Sequence, residues 1–216
     1  MTDSLSMLNK RSLGKKEQIL GWFEIACIFF VLLLLISRCF SGVLIEGASM
    51  EDTYQDKDRV LLQVFLYNIK IHDVVVFYED RINGPNGKPV GLCIKRVMAL
   101  GGDAIKFEKE SSNDVTFYRR AGGEGEWEKE PDYFKITRMT YNTGSFPNTM
   151  FNITWGEEMT VPKDCFFVMG DNRDHSSDSR TFGYVDKSQI EGRVVLDLKE
   201  GTFLRWYYSP KTVGAP

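Results

Sequence analysis

The sequence predicts a mainly β fold, in which an antiparallel β-sheet domain carries a β-rich inserted lobe and follows one N-terminal transmembrane helix. Three observations predict this fold. One long apolar run lies near the N-terminus. Every later apolar run is short, is rich in β-branched or aromatic residues, and is bounded by Gly, Asn, Asp or Pro, as strands are. After the first run, apolar residues never sustain a 3.6-residue period, so no further long helix is expected.

The apolar run at 20–36 contains one charged residue, Glu24. Its length is at the short end of the roughly 17–25 residues that a bilayer-spanning helix needs. Basic residues precede it at Lys10, Arg11, Lys15 and Lys16, whereas only Arg38 follows closely. Because cytoplasmic flanks are the more basic ones, we expect a cytoplasmic tail at 1–19, an anchor at 20–38 and an extracytoplasmic remainder. A cleaved secretory signal and a buried helix of a soluble protein remain alternatives.

The predicted strands after the anchor are separated by turn-forming clusters. They are 43–45, 59–65, 73–78, 90–98, 115–118, 133–137, 151–155, 165–169 and 193–198. Between 107 and 161, clusters of serine, glycine and acidic residues alternate with aromatic strands. We therefore expect a β core at 39–106 and 162–216 and a variable β-rich lobe at 107–161.

Charge and composition exclude several classes of function. A net charge of −3, without a basic stripe, predicts no nucleic-acid partner. The four cysteines form no C-x-x-C pair and the two histidines are too few for a metal cage, so neither a metal nor a cofactor is expected. A disulfide between Cys93 and Cys165 would be permitted outside the cytoplasm. Both lie in apolar strands, however, which favours two free buried thiols.

Ser49 is the first candidate for catalysis. It lies in Gly47-Ala-Ser-Met50, directly after the predicted strand 43–45. A serine at such a strand-to-turn junction exposes its hydroxyl beside free backbone N–H groups, as an acyl-transfer nucleophile requires. The tripeptide Gly-Ala-Ser is common, so this pattern alone is weak.

Lys95 is the second candidate. Strand alternation places Lys95 on one face with Cys93 and Val97, whereas Arg96 points to the opposite face. Burial among apolar neighbours lowers the pKa of a lysine, and a neutral amine can act as a general base. The alternative is a lysine at the edge of a strand that reaches solvent.

The polar segment 170–183 is the third candidate. It combines three aspartates, two arginines and three serines between Gly170 and Gly183, directly after the apolar strand 165–169. Oppositely charged side chains at this density can pair with one another and hold a loop rigid. An ordinary acidic turn is the alternative interpretation.

The order of these motifs resembles type I signal peptidases, in particular the bacterial, Gram-positive-like members with a single anchor and a Ser/Lys dyad. The matching segments are Ser49-Met50, 57–62, 73–77, 95–103 and 170–183. The resemblance covers 45–103 and 165–198 and includes the position of the anchor. Residues 107–161 match only as the variable β region of the family.

The resemblance implies a role for each matching residue. Ser49 matches the nucleophile and Lys95 the general base. Ser176 matches the serine that hydrogen-bonds to the lysine and orients it. The remaining support residues are the ion pair Asp178 and Arg180, together with Asp171 and Arg173 in the same network. The residues that match the substrate pockets for small side chains are Val43, Ile45, Met50, Tyr54 and Ile94.

The function that the resemblance implies is that of a membrane-bound serine endopeptidase. It would remove signal peptides from exported preproteins after small-x-small sequences, through an acyl-enzyme on Ser49. The catalytic domain would lie outside a bacterial plasma membrane, with preproteins, lipid and a nearby secretion translocase as partners. The alternatives are a paralogue with a narrow client, such as a pilin or surface protein, and a non-catalytic anchored binding module.

Several positions depart from the family pattern. Asp52-Thr53-Tyr54 replaces a usual Pro-Thr-Leu, which leaves the preference at substrate position −1 open. Gly47 stands where some relatives have a serine, so the oxyanion hole would depend mainly on the Ser49 N–H. Gly101 replaces a usual proline and His72 a usual glycine. A Ser-His-Asp triad using His175 is a further alternative, but the histidine position varies in the family. A soluble self-cleaving repressor with the same dyad would need a DNA-binding domain, and none is visible.

Overall fold

The computed structural model describes residues 2–51, 53–83, 89–109, 115–130, 153–198 and 211–214. Contacts divide the chain into two compact units, Met1–Phe40 and Ser41–Pro216. The predicted strand 133–137 and the first two residues of 151–155 lie outside the described residues, as does Asp52.

The first unit contains one long helix, α1 (Thr2–Ser37). Its segment Gly14–Ser37 is long and apolar enough to cross a membrane. Large apolar side chains of this segment, including Trp22 and Phe29, are exposed, as expected for a helix whose surroundings are lipid. The helix begins well before residue 20, so helical structure extends into the basic segment that precedes the apolar run.

The second unit is built from strands. In chain order, the described strands are β1 (Phe40–Glu46), β2 (Arg59–Gln63), β3 (Val74–Asn83), β4 (Pro89–Leu100), β5 (Ala104–Lys109), β6 (Val115–Arg120), β7 (Glu128–Lys129), β8 (Met159–Thr160), β9 (Cys165–Met169), β10 (Val185–Asp186), β11 (Ile190–Asp197) and β12 (Lys211–Gly214). A short helix, α2 (Ser179–Phe182), lies between β9 and β10. The prediction of a mainly β fold after one N-terminal apolar helix is confirmed.

Two sheets organise these strands. The larger has the order β10-β9-β4-β3-β11-β2-β1-β12, and the smaller has the order β7-β6-β5-β8. Among the described registers, β12 pairs with β1 in parallel and all the others are antiparallel. Residues from both sheets share one apolar cluster, in which Phe117 of β6 stacks on Phe167 of β9 at 5.9 Å between ring centroids. The sheets are therefore packed on a common core.

Most predicted strands coincide with observed ones, with ends shifted by a few residues. Reasoning from the sequence missed β5, β7, β8, β10 and β12, which are short or lie next to charged residues. The described part of the predicted strand 151–155 contains only an isolated bridge at Thr154. All four cysteines are free, as favoured for Cys93 and Cys165, although only Cys93 is fully buried.

Two departures from the family pattern have a local explanation. His72 has a positive φ of 67°, a conformation that glycine adopts without strain, which accounts for the usual glycine at this position. Gly101 lies against the backbone of 162–164, and a Cβ at Gly101 would come within 2.9 Å of the Pro162 carbonyl oxygen. In this chain the turn between β4 and β5 therefore leaves no room for a side chain.

Candidate active site

Ser49 lies in a tight turn that follows β1. The turn begins at Gly47, whose φ of 98° suits glycine and whose N–H donates to Asp56 Oδ1 at 2.9 Å. It closes with hydrogen bonds from Glu51 N to Ala48 O at 3.0 Å and from Tyr54 N to Met50 O at 2.8 Å. The Ser49 side chain is thereby held in the interior, where it is 1% exposed.

Lys95 occupies the middle of β4, opposite Val75 of β3. Its side chain is completely buried, and its Nζ lies 2.7 Å from Ser49 Oγ. Among the described residues it forms no ion pair, so its amine contacts a hydroxyl rather than a carboxylate. The alternation predicted for this strand is also found, because Cys93 and Val97 share one apolar cluster.

Burial dominates the electrostatics of this lysine. It lowers the pKa of the Lys95 amine below its ordinary value, while the charge of Asp178 raises the pKa and that of Arg180 lowers it. The neighbouring Cys93 thiol responds in the opposite sense, since burial raises its pKa to about 11. The pair at 2.7 Å therefore combines a hydroxyl with an amine that loses its proton readily.

Asp178 and Arg180 form a buried ion pair in the loop after β9. Asp178 accepts from Arg180 Nε and Nη2, both at 2.8 Å, and it also accepts from Arg180 N at the start of α2. Its second backbone donor is Gly170 N at 2.9 Å. Burial acts to raise the pKa of Asp178, but Arg180 and the N–H of Gly170 outweigh it, so the pKa is lowered. The surroundings of the carboxylate thus favour its ionised form.

Asp171 and Arg173 each connect the loop to another part of the domain. Asp171 accepts from Arg96 Nε at 2.8 Å and Nη2 at 2.6 Å, and from the hydroxyl of Thr53. It therefore ties the loop to β4, one residue after Lys95, and to the turn that carries Ser49. Arg173 instead pairs with Glu130 and donates from Nε to Gly170 O at 2.8 Å.

Ser176 lies beside the dyad, but the hydrogen bond to the lysine that the resemblance implies is not among those of the structure. Its Oγ is buried and has no hydrogen-bond partner among the described residues. A Cβ built on Gly170 would be 2.2 Å from this Oγ and 2.5 Å from Ser49 O. Only glycine at 170 therefore allows Ser176 and the Ser49 backbone to approach each other this closely.

The predicted pocket residues form one apolar cluster. Val43, Ile45, Met50 and Ile94 are all buried in it, and the partly buried Tyr54 packs against them. Burial raises the pKa of the Tyr54 phenol, so its hydroxyl is neutral. The cluster adjoins Ser49 through Met50.

His175 does not complete a triad in this structure. Its side chain is exposed, and its described hydrogen bond runs from its backbone N–H to Asn172 O at 3.1 Å. The basic group in contact with Ser49 is Lys95. No group of three or more metal-ligating side chains occurs among the described residues.

Reasoning from the sequence missed two residues of this site. The sequence gives a signal for Arg96, because it is a charged residue directly after Lys95. Strand alternation predicts that its side chain lies on the opposite face of β4 from Lys95. Glu130 gave no signal, because it lies among many acidic residues of the segment 121–130.

Comparisons with known proteins find similarity to signal peptidases. A family model described as signal peptidase, peptidase S26, matches residues 19–198. A signal peptidase I P of Bacillus subtilis subsp. natto is 32% identical over 194 residues, which cover 86% of this chain and 91% of that protein. A signal peptidase IB of Staphylococcus aureus is 27% identical over 203 residues, 91% of this chain and 97% of that protein. A crystal structure of a signal peptidase I from Enterococcus faecalis aligns with a TM-score of 0.36 at 24% identity, covering 61% of this chain and all of that chain.

Proposed function

The chain belongs to the signal peptidase family, peptidase S26, and from this membership we propose that it is a membrane-bound serine endopeptidase that removes N-terminal signal peptides from exported preproteins. The observation that carries the proposal is the buried Lys95 amine 2.7 Å from Ser49 Oγ. A non-catalytic binding module would have no need of this contact, because burying a lysine without a carboxylate costs free energy.

The reaction uses Ser49 as the nucleophile and Lys95 as the general base. The neutral amine takes the hydroxyl proton while Oγ attacks the carbonyl carbon of the scissile peptide bond. As the tetrahedral intermediate collapses, the ammonium returns that proton to the leaving nitrogen, which becomes the N-terminus of the mature protein. Water, deprotonated by the same amine, then attacks the acyl-enzyme ester and releases the signal peptide with a free carboxylate.

The backbone N–H of Ser49 is suited to stabilise the oxyanion. Among the described residues this N–H has no hydrogen-bond acceptor, although the Ser49 carbonyl accepts from Asn172 N at 3.1 Å. A donor held in a rigid turn and left without an acceptor can bind the charge that develops on the carbonyl oxygen. The loop contact to the Ser49 carbonyl supports this role because it fixes the orientation of the turn.

The preprotein segment would dock as an added strand on β1. This edge accepts a parallel strand, since β12 pairs with it from Val43↔Lys211 to Glu46↔Gly214. The pairing ends three residues before Ser49, so a peptide in this direction continues toward the nucleophile. The substrate would displace β12 and place small side chains at −1 and −3 against the pocket cluster. Tyr54 in that cluster would restrict which side chains are accepted at substrate position −1. This restriction favours an enzyme with a limited set of preprotein substrates.

The helix α1 supports a membrane location for this activity. The basic segment 1–19 would lie in the cytoplasm and 20–38 in the bilayer, because the positive charges precede the apolar run. The β core at 39–106 and 162–216, with the lobe at 107–161, would then face the outer side of a bacterial plasma membrane. Signal peptides emerge at this surface, close to lipid and to the secretion translocase.

The proposal is tested with the purified full chain and its Ser49→Ala variant. Each is incubated with a preprotein that carries an Ala-x-Ala site, and the N-terminus of the product is sequenced. We expect the wild type to cut after the second alanine and the variant to leave the preprotein intact. Uncut preprotein with the wild type, or equal cleavage by the variant, would refute the proposed function.

A further inference from the structure

One carboxylate that contacts the loop supporting the dyad, that of Glu130, comes from the smaller sheet. Glu130 follows β7 in the smaller sheet, where its N–H donates to Phe117 O at 3.0 Å. Its side chain forms an ion pair with Arg173, and the two side chains are only 5% and 2% exposed. The desolvation cost of burying two charges can exceed what their attraction contributes, so the pair is weak evidence for a purely stabilising role.

Arg173 connects Glu130 to the backbone of the loop. Its Nε donates to Gly170 O at 2.8 Å, while Gly170 N donates to Asp178 Oδ2 at 2.9 Å. The Gly170 residue is therefore held on its carbonyl side by Arg173 and on its amide side by Asp178. Without Glu130, Arg173 would be a buried cation that has lost this counter-charge. Its hydrogen bond to the Gly170 carbonyl would then change.

Gly170 in turn lies against the catalytic groups. The Cβ that it lacks would fall 2.2 Å from Ser176 Oγ and 2.5 Å from Ser49 O. A small displacement of Gly170 toward these atoms would therefore push Ser176 or the turn that carries Ser49. Placement errors of about 1 Å at a reacting group can cost on the order of 100-fold in rate.

We propose that Glu130 is a positioning residue for the peptidase reaction, acting through Arg173 and Gly170 on Ser176 and on the turn that carries Ser49. The proposal deepens the proposed function and rests on it. The smaller sheet would then contribute to catalysis, because the carboxylate that pairs with Arg173 of the loop comes from that sheet. Glu130 itself does not contact the reacting atoms.

Glu128 offers a matched control, since it lies two residues earlier. It also pairs with an arginine, Arg119, at 2.7 Å, but its side chain is 66% exposed and its described contacts do not reach the loop. Replacing Glu128 by Gln removes the same charge two residues away and leaves Arg173 untouched. A general effect of charge on the smaller sheet would therefore affect both variants alike.

The test compares Glu130→Gln, Glu130→Asp and Glu128→Gln with the wild type. Steady-state cleavage of a preprotein peptide gives kcat and KM, and circular dichroism checks folding. We expect Glu130→Gln to lower kcat about tenfold or more with KM within about twofold, because positioning rather than binding is lost. Glu130→Asp keeps the charge and should recover most of the kcat, and Glu128→Gln should match the wild type.

Hydrogen exchange of the segment 170–183 provides a readout that does not depend on activity. We expect faster exchange in Glu130→Gln, but not in Glu128→Gln, whether or not the preprotein is a substrate. Failure of the proposed function is therefore seen separately, as peptide that the wild type leaves uncut. The proposal is overturned by a folded Glu130→Gln variant with wild-type kcat and exchange. It is also overturned if both Glu130 variants unfold, or if Glu128→Gln loses as much activity.

Discussion

Among the described residues, the buried and partly buried cations around the candidate site fall into two groups that lie side by side. Three arginines face carboxylates: Arg96 with Asp171, Arg173 with Glu130, and Arg180 with Asp178. Lys95 contacts the hydroxyl of Ser49 and, within the described part of the chain, forms no ion pair. A paired guanidinium stays charged and can hold a loop, whereas an amine buried without a counter-ion gives up its proton. The difference in partner separates the groups that support the site from the group that reacts.

Lys95→Met should produce the largest loss of activity. The substitution removes the general base and leaves an apolar side chain of similar length, so cleavage should fall by roughly 10²–10⁴-fold or more. Stability should rise instead, because a buried ionisable group is lost. Since the pKa of Lys95 is lowered in the folded state, the wild type gains stability as pH rises toward the unfolded pKa. Chemical denaturation at several pH values should therefore show the advantage of the variant shrinking as pH rises.

Asp178→Ala should lower the unfolding free energy, in contrast to Lys95→Met, and should produce the largest loss of stability among these variants. It leaves Arg180 buried without its carboxylate, which costs about 3–5 kcal/mol of unfolding free energy. Urea denaturation of the variant measures this loss. Glu157→Ala, an exposed carboxylate, is the control and should change the unfolding free energy by less than about 0.5 kcal/mol. Equal effects of the two substitutions would show that the buried pair is not what holds the loop.

Ser176→Ala should reduce catalysis without unfolding the domain. The hydroxyl is buried without a described partner, so its removal should not lower the unfolding free energy. The family resemblance assigns this hydroxyl to orienting Lys95, so its loss should nevertheless lower kcat on the order of 10- to 100-fold. Ser177→Ala is the adjacent control and should retain wild-type kcat. A fully active Ser176→Ala variant would remove Ser176 from the support of the dyad.

His175→Ala should have the smallest effect. The imidazole is exposed, and changes at exposed positions alter free energies by about 0.5 kcal/mol or less, so kcat/KM should stay within about twofold of the wild type. The same cleavage assay measures it. Loss of activity in this variant, with Lys95→Met still active, would replace the dyad with a triad.

The sequence could predict the parts of this site that follow from local patterns. Strand alternation separates Lys95 from Arg96, and the density of opposite charges predicts ion pairs within the loop. The particular pair Asp178 and Arg180 is what the family resemblance implies. The partner of Arg173 could not be predicted, because Glu130 is brought to it by the packing of two sheets and no local period encodes that contact. In the same way, the bond expected from Ser176 depends on side-chain orientation, which a motif does not specify.

The pKa of the Lys95 amine is the quantity on which the separation of the two groups of cations depends. It can be measured by NMR titration of the lysine ε-carbons, with the Lys95→Met variant used for assignment. Burial without a counter-ion predicts a pKa below the ordinary lysine value of 10.5, coincident with the acid limb of the kcat/KM profile. An amine that remains charged at the pH where the enzyme is fully active would contradict the assignment of Lys95 as the general base.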